Sequence, residues 1–293
     1  MKLATFRWGG RRHAGLVDED RRSVTPLAFG EHGERRGALA AIESLAQGRP
    51  LPRPSGPRLP LSAIELEAPI PVPRRNIFCI GLNYRPHAAE YRANVADASL
   101  AAQASEVPEH PMVFTKFPEN VIGPGAAIRI PRELSTRIDY EAELAVVIGR
   151  GGRAIPAGRA LEHVWGYTIV NDVTARDLQV RHRQWLLGKA LDTFCPMGPW
   201  LVSADAVDGL ATRIRCWVNG ELRQDANTAE LLFPVPKLIE TISAGLTLQP
   251  GDVIATGTPA GVGIGFVPPR FLAPGDRVRI VIDGVGELEN PVV

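Results

Sequence analysis

DYEAELAVVIG, residues 139–149, is the stretch on which the reading of this chain turns. Its ELAVVIG portion is short, apolar, rich in β-branched residues and stopped by Gly149, which predicts a buried strand. Side chains at i and i+2 of a strand leave the same face, about 6.5 Å apart along the chain. Glu141 and Glu143 therefore point the same way, where a cation is the natural neutraliser of both. A second run, YTIVNDVTARD at 167–177, reads as another strand, ending at Asp172. Laid beside the first, it adds a third carboxylate. Such all-oxygen ligation suits a hard divalent ion, Mg²⁺, Mn²⁺ or Ca²⁺, far better than zinc, and leaves about three octahedral positions for water or substrate. Two acids on a strand would ordinarily mark a solvated edge. The apolar residues around these argue for burial instead.

Composition narrows the partners. Over 293 residues, 33 Lys+Arg stand against 32 Asp+Glu, a net charge of +1, so nothing suggests nucleic acid or an anionic membrane surface. No apolar run approaches the ~18 residues of a membrane span. The opening MKLATFRWGGRRHAG lacks the apolar centre of a signal peptide, and a cytoplasmic protein is expected. Cys79, Cys195 and Cys216 are isolated, odd in number and not spaced for zinc or a disulfide framework.

Residues 1–70 read as a small β-rich domain: strands LATFRW and HAGLVDED, a helix GALAAIESLAQG ended by Gly48, and a Pro-rich linker RPLPRPSGPRLP with no packing pattern. Residues 71–293 form the main body. There the runs NIFCIGLNY, VFTKFP, AIRIPR, ELAVVIG, GYTIVND, GPWLVS, TRIRCWVNG, DVIATGTP, RVRIVIDG and GELENPV are predicted strands, with helices only near 88–104, 156–163, 174–182 and 235–245. Many strands without strict alternation with helices predict an α+β, predominantly β fold on a rolled sheet, not a doubly wound nucleotide-binder.

Other side chains suit catalysis. In GLNYRPHAAEY, His87 and Glu90 are i, i+3 neighbours if a helix begins after Pro86. A carboxylate at that spacing orients an imidazole and raises its basicity, as a general base requires. The following RANVADASLAAQASEVPEH is Ala-rich and weakly amphipathic, the character of a lid. Lys189 offers the positive charge that three carboxylates and a dication still lack, and can stabilise an enolate. Arg176 and Gln179, one helical turn apart after Asp172, can grip an acid group on a substrate if they face the site. TGTPAGVG, residues 256–263, is a Gly-rich loop whose amides, with the Thr258 hydroxyl, can hold a carboxylate or carbonyl oxygen. It is not a P-loop, since no Gly-Lys-Ser/Thr follows, and no G-x-S-x-G nucleophile motif occurs.

Together GLNYRPHAAE, FTKFPENVIGPG, DYEAELAVVIG, GYTIVNDVTARDLQ, GKALDTFCPMGPW, VNGELRQ and PGDVIATGTPAGVG resemble the fumarylacetoacetate hydrolase family, in the family's order over about residues 76–293. The resemblance implies a mixed β-roll, commonly a homodimer, with Mg²⁺ or Mn²⁺ held by Glu141, Glu143 and Asp172. It further implies a catalytic dyad at His87 and Glu90, an enolate-side lysine at Lys189, and substrate contacts at Arg176, Gln179 and Thr258. The first unit resembles the small N-terminal domain of the family's longer bacterial members. The implied reaction is hydrolysis of a C–C bond in a small β-dicarbonyl 2-oxo acid such as an acylpyruvate. The alternative is decarboxylation, isomerisation or dehydration of a related 2-oxo acid, oxaloacetate among them, through the same enolate.

Overall fold

Strand Ala142–Ile148 lies between two antiparallel neighbours, Val164–Asn171 and Val253–Ala255, and all its residues are buried, as happens when both faces of a sheet are covered. Leu144, Val146 and Ile148 enter one apolar cluster and Ala145 and Val147 the other. Burial of each valine, leucine or isoleucine contributes about 1.5–3 kcal/mol. A slip of one residue would exchange the faces and drive Glu143 into the larger cluster, so the register is tightly specified. That register sets Ala142 opposite Asn171 and brings the Asp172 amide 2.9 Å from the Glu141 carbonyl oxygen.

The structure, a computed structural model, describes residues 1–94, 108–181 and 183–293. Among them a twelve-stranded sheet runs in the order Leu59–Pro60, Ser23–Pro26, Arg11–Asp18, Lys2–Trp8, Cys195–Ser203, Val164–Asn171, Ala142–Ile148, Val253–Ala255, Ile77–Gly81, Met112–Lys116, with Glu65–Glu67 and Val121–Ile122 paired off this path. The first strand joins the main body directly, Leu3 standing opposite Leu201. Helix Leu39–Ala46 lays Leu39, Ala41 and Ile42 on the cluster that holds Ala145 and Val147, so the first 70 residues cover one face of the central sheet. The Pro-rich stretch expected to lack packing contributes a short edge strand, in which buried Leu59 pairs with Val24.

A four-stranded sheet, Glu221–Asn227, Arg213–Val218, Arg277–Ile282 and Gly286–Pro291, covers the other face. Ile214, Cys216, Val218, Val278, Ile280 and Ile282 alternate inward toward Leu144 and Val146. Helix Val235–Gly245 adds Val235, Leu238, Ile239 and Ile242, an i, i+3, i+4, i+7 stripe. The fold is the α+β, predominantly β architecture that the strand pattern predicts.

Some elements depart from expectation. AIRIPR forms a single bridge, Ile128 to Val292, flanked by a hydrogen bond from the Ile130 amide to the Val293 carbonyl oxygen. The stretch near 156–163 is a 3₁₀ helix, Ala157–His163, and that near 174–182 is a shorter helix, Arg176–Arg181. The helix expected over 88–104 is seen as Arg85–Asn94; its remainder and most of the expected lid lie outside the described residues. Lys189 is the last residue of the short helix Leu186–Lys189. Among the described residues no helix is long and apolar enough to cross a membrane.

Candidate active site

Glu141, Glu143 and Asp172 come together at the ends of two adjacent strands, with ligand atoms all within 4.8 Å of one another and all three side chains buried. Buried carboxylates survive only with compensation. Lys189 Nζ donates to Glu141 Oε2 at 2.8 Å and to Asp172 Oδ2 at 2.7 Å. Lys116 Nζ lies 2.8 Å from Asp172 Oδ1 and also donates to the carbonyl oxygens of Val173 and Lys189. Arg176 places Nη1 2.7 Å from Glu141 Oε1 and donates from Nε to Asp139 Oδ2 at 2.8 Å. Burial opposes the charge on Glu141, but Lys189, Arg176 and His87 outweigh it and hold the carboxyl down at about 2. Glu143 goes the other way: burial and the charges of Asp172 and Glu141 push its carboxyl well above the ordinary range.

Glu143 supplies the test of whether a cation fits. Its Oε2 accepts a 2.9 Å hydrogen bond from the Gly257 amide, but among the described residues no cationic side chain pairs with it. A buried carboxylate lacking a counter-ion, beside two more, is the donor set a hard dication satisfies. Counting Asp139, four carboxylates here face three fixed cations, Lys116, Lys189 and Arg176. A dication changes the sign of the remainder from one negative to one positive, as an anionic substrate needs. The cluster can therefore bind a divalent metal.

The opposite wall is helix Arg85–Asn94, on which His87 Nδ1 and Glu90 Oε2 stand 3.2 Å apart, with His87 only 3% exposed. The Gly-rich loop closes on this pair. Gly261, with φ of 99°, donates from its amide to Glu90 Oε1 at 3.0 Å, and a Cβ there would stand 1.9 Å from the Arg223 carbonyl oxygen. Only glycine allows that conformation and approach together. Leu82, just before the helix, has φ of 53°, a strain of about 1–3 kcal/mol that the surrounding packing must hold. Asn83 pins that turn by donating to the carbonyl oxygens of Thr256 and Phe233 and accepting from the Phe233 amide.

Between the walls is a cavity of about 10 Å³ whose lining includes Leu82, His87, Tyr91, Glu141, Arg176, Gln179, Lys189 and Thr258. That space holds about one water molecule. The structure thus brings His87, Lys189, Arg176, Gln179 and Thr258 to one space, with Glu90 behind His87. Arg176 and Gln179 also have partners within the protein. Arg176 is spent on Asp139 and Glu141 and reaches Gln179 Oε1 at 3.3 Å, leaving Nη2 as its unpartnered, buried nitrogen. Thr258 Oγ1 accepts from Gln224 Nε2 at 2.8 Å.

Two participants escaped the sequence reading. Lys116 sits fully buried in an edge strand, and its signal was a lone lysine in the apolar VFTKF. Asp139 carries a clearer signal: it precedes Glu141 and Glu143 at the same spacing of two, the third acid of one alternation.

A family model described as fumarylacetoacetate (FAA) hydrolase C-terminal matches residues 76–293. The chain belongs to this family and is an enzyme of its superfamily. It is 51% identical over 233 residues to oxaloacetate tautomerase YisK of Bacillus subtilis (strain 168), covering 79% of this chain and 74% of that protein. A solved fumarylacetoacetate hydrolase from Exiguobacterium antarcticum matches 100% of this chain and 99% of its own at 38% identity and a TM-score of 0.82. A solved 5-carboxymethyl-2-hydroxymuconate delta-isomerase from Mycobacterium smegmatis matches 100% and 99% at 35% identity and a TM-score of 0.78.

Proposed function

We propose that the chain is a divalent-metal-dependent isomerase that interconverts the keto and enol forms of a small 2-oxo dicarboxylic acid of the oxaloacetate kind. The observation that carries this reading over C–C hydrolysis is the 51% identity to an oxaloacetate tautomerase. Hydrolysis needs the same enolate and an activated water as well; tautomerisation needs only a proton moved between carbon and oxygen. In this reading Glu141, Glu143 and Asp172 hold Mg²⁺ or Mn²⁺, which when bound supplies Lewis acidity toward charge developing on the substrate's carbonyl oxygen.

The chain's own residues move the proton. With Nδ1 turned to Glu90, His87 presents Nε2 as a base to the carbon beside the carbonyl. The C–H electron pair becomes the carbon–carbon double bond, and the carbonyl π pair moves to oxygen. His87 then gives that proton to the oxygen, which yields the enol and restores the base; the reverse path regenerates the ketone. Lys189, held between Glu141 and Asp172, keeps a positive charge beside the oxyanion, and Arg176 Nη2, Gln179 and Thr258 orient the substrate.

The test follows keto–enol relaxation of oxaloacetate by the enol's ultraviolet absorbance, alongside product analysis on acylpyruvates. Enzyme stripped by chelation and reloaded with Mg²⁺ or Mn²⁺ should accelerate relaxation without releasing a carboxylic acid or CO₂. A higher kcat/KM for cleavage of an acylpyruvate would replace this reading with the hydrolase one.

A further inference from the structure

Asp139 takes no part in the reaction sketched above, yet it is fully buried and accepts four hydrogen bonds. Tyr140 N donates at 2.9 Å and Gly263 N at 2.6 Å to Oδ1, while Ile264 N at 3.0 Å and Arg176 Nε at 2.8 Å donate to Oδ2. Gly263 lies so close that a Cβ there would stand 2.8 Å from Asp139 Oδ1 and 2.3 Å from the Arg270 carbonyl oxygen. The same loop wraps Glu90: Gly261 donates to it, and a Cβ at Gly265 would meet its Oε1 at 1.8 Å. At the far side of Asp139, Arg176 reaches Glu141. One line of contacts therefore runs from Glu90 through the loop and Asp139 to Arg176 and Glu141, joining walls that separate elements carry. A carboxylate is required because both oxygens must accept. Asparagine would turn its NH₂ either toward the Tyr140 and Gly263 amides or toward the Ile264 amide and the guanidinium.

We propose that Asp139 is a positioning residue that clamps Gly263 and Ile264 to Arg176 and so fixes the His87–Glu90 pair relative to the acidic cluster. Its kinetic consequence rests on the function proposed above; its structural consequence does not. The experiment compares Asp139→Asn and Gly263→Ala with the parent enzyme by amide hydrogen exchange, Mn²⁺ titration and steady-state kinetics. Asp139→Asn should lose protection at Gly263 and Ile264 and also at Gly261, whose amide bonds Glu90 rather than Asp139. It should still bind a single Mn²⁺ per chain with near-parental affinity, while kcat per loaded chain falls about 10²-fold, the cost of misplacing a reacting group, with a smaller change in KM. Gly263→Ala should reproduce this, and the double variant should fall short of the product of the two losses. Protection at Gly261 unchanged in Asp139→Asn, or loss of Mn²⁺ affinity as large as the loss of kcat, would overturn the proposal. If the parent enzyme turns over no 2-oxo acid, the function fails while the exchange measurement still decides the clamp.

Discussion

Glu141, Glu143 and Asp172 stand on or beside strands fixed by backbone ladders, whereas His87 and Glu90 stand on the helix Arg85–Asn94, outside any sheet. On the first wall, ion pairs from Lys116, Lys189 and Arg176 bind Glu141 and Asp172. On the second, Glu90 is held in part by its own histidine and by an amide of a Gly-rich loop. The wall that bears charge is assembled by the fold itself, because buried carboxylates must be compensated before the protein can be stable. The wall that moves protons stands on one helix and is joined to the rest of the site through hydrogen bonds from the Gly-rich loop.

The largest effect expected is from metal removal. Chelation should abolish turnover while circular dichroism stays unchanged, since sheet register and three internal cations keep the acidic wall folded. Mn²⁺ should restore the rate. Full activity in EDTA would break the comparison at its root. Next comes His87→Ala, which should lower kcat by about 10²–10⁴, the usual contribution of a positioned acid–base group. Calorimetric Mn²⁺ affinity should not change. If affinity falls in parallel with kcat, the two walls are not separate.

How much of this was legible in the sequence depends on which physical signal each part leaves. Strand periodicity makes Glu141 and Glu143 share a face, and an antiparallel neighbour ending at Asp172 delivers the third acid. The His87 and Glu90 spacing works in the same local way. Lys116 was not legible, because what makes it matter is an edge strand brought against residues 173 and 189 by the sheet order, and a single lysine carries no periodicity. Sequence places Arg176 one helical turn from Gln179 but does not show that Asp139 holds its Nε. Short strands such as Ser23–Pro26 and Leu59–Pro60 have too few residues to alternate.

Lys116→Met sharpens the account of the acidic wall. Losing a like charge favours the ion, while losing the ion pair that orients Asp172 opposes it. Partners that orient metal ligands are typically worth 10–100-fold in affinity, so the second effect should win and Mn²⁺ should bind about 10–100-fold more weakly, read by calorimetry. Tighter binding would mean that Lys116 serves charge balance rather than orientation.

Thr258→Ala should have the smallest effect, and it probes the seam between the walls. Gln224 would keep its 2.8 Å bond to the Pro259 carbonyl oxygen and its 3.1 Å bond from the Ala142 amide, so the loop should hold its place. What disappears is one hydroxyl on the cavity surface. A single neutral hydrogen bond is worth about 0.5–1.5 kcal/mol, which in kcat/KM is at most about tenfold. A drop of about a thousandfold would instead match acid–base participation. The hydroxyl would then be carrying a proton, and His87 could no longer be the sole group that does so.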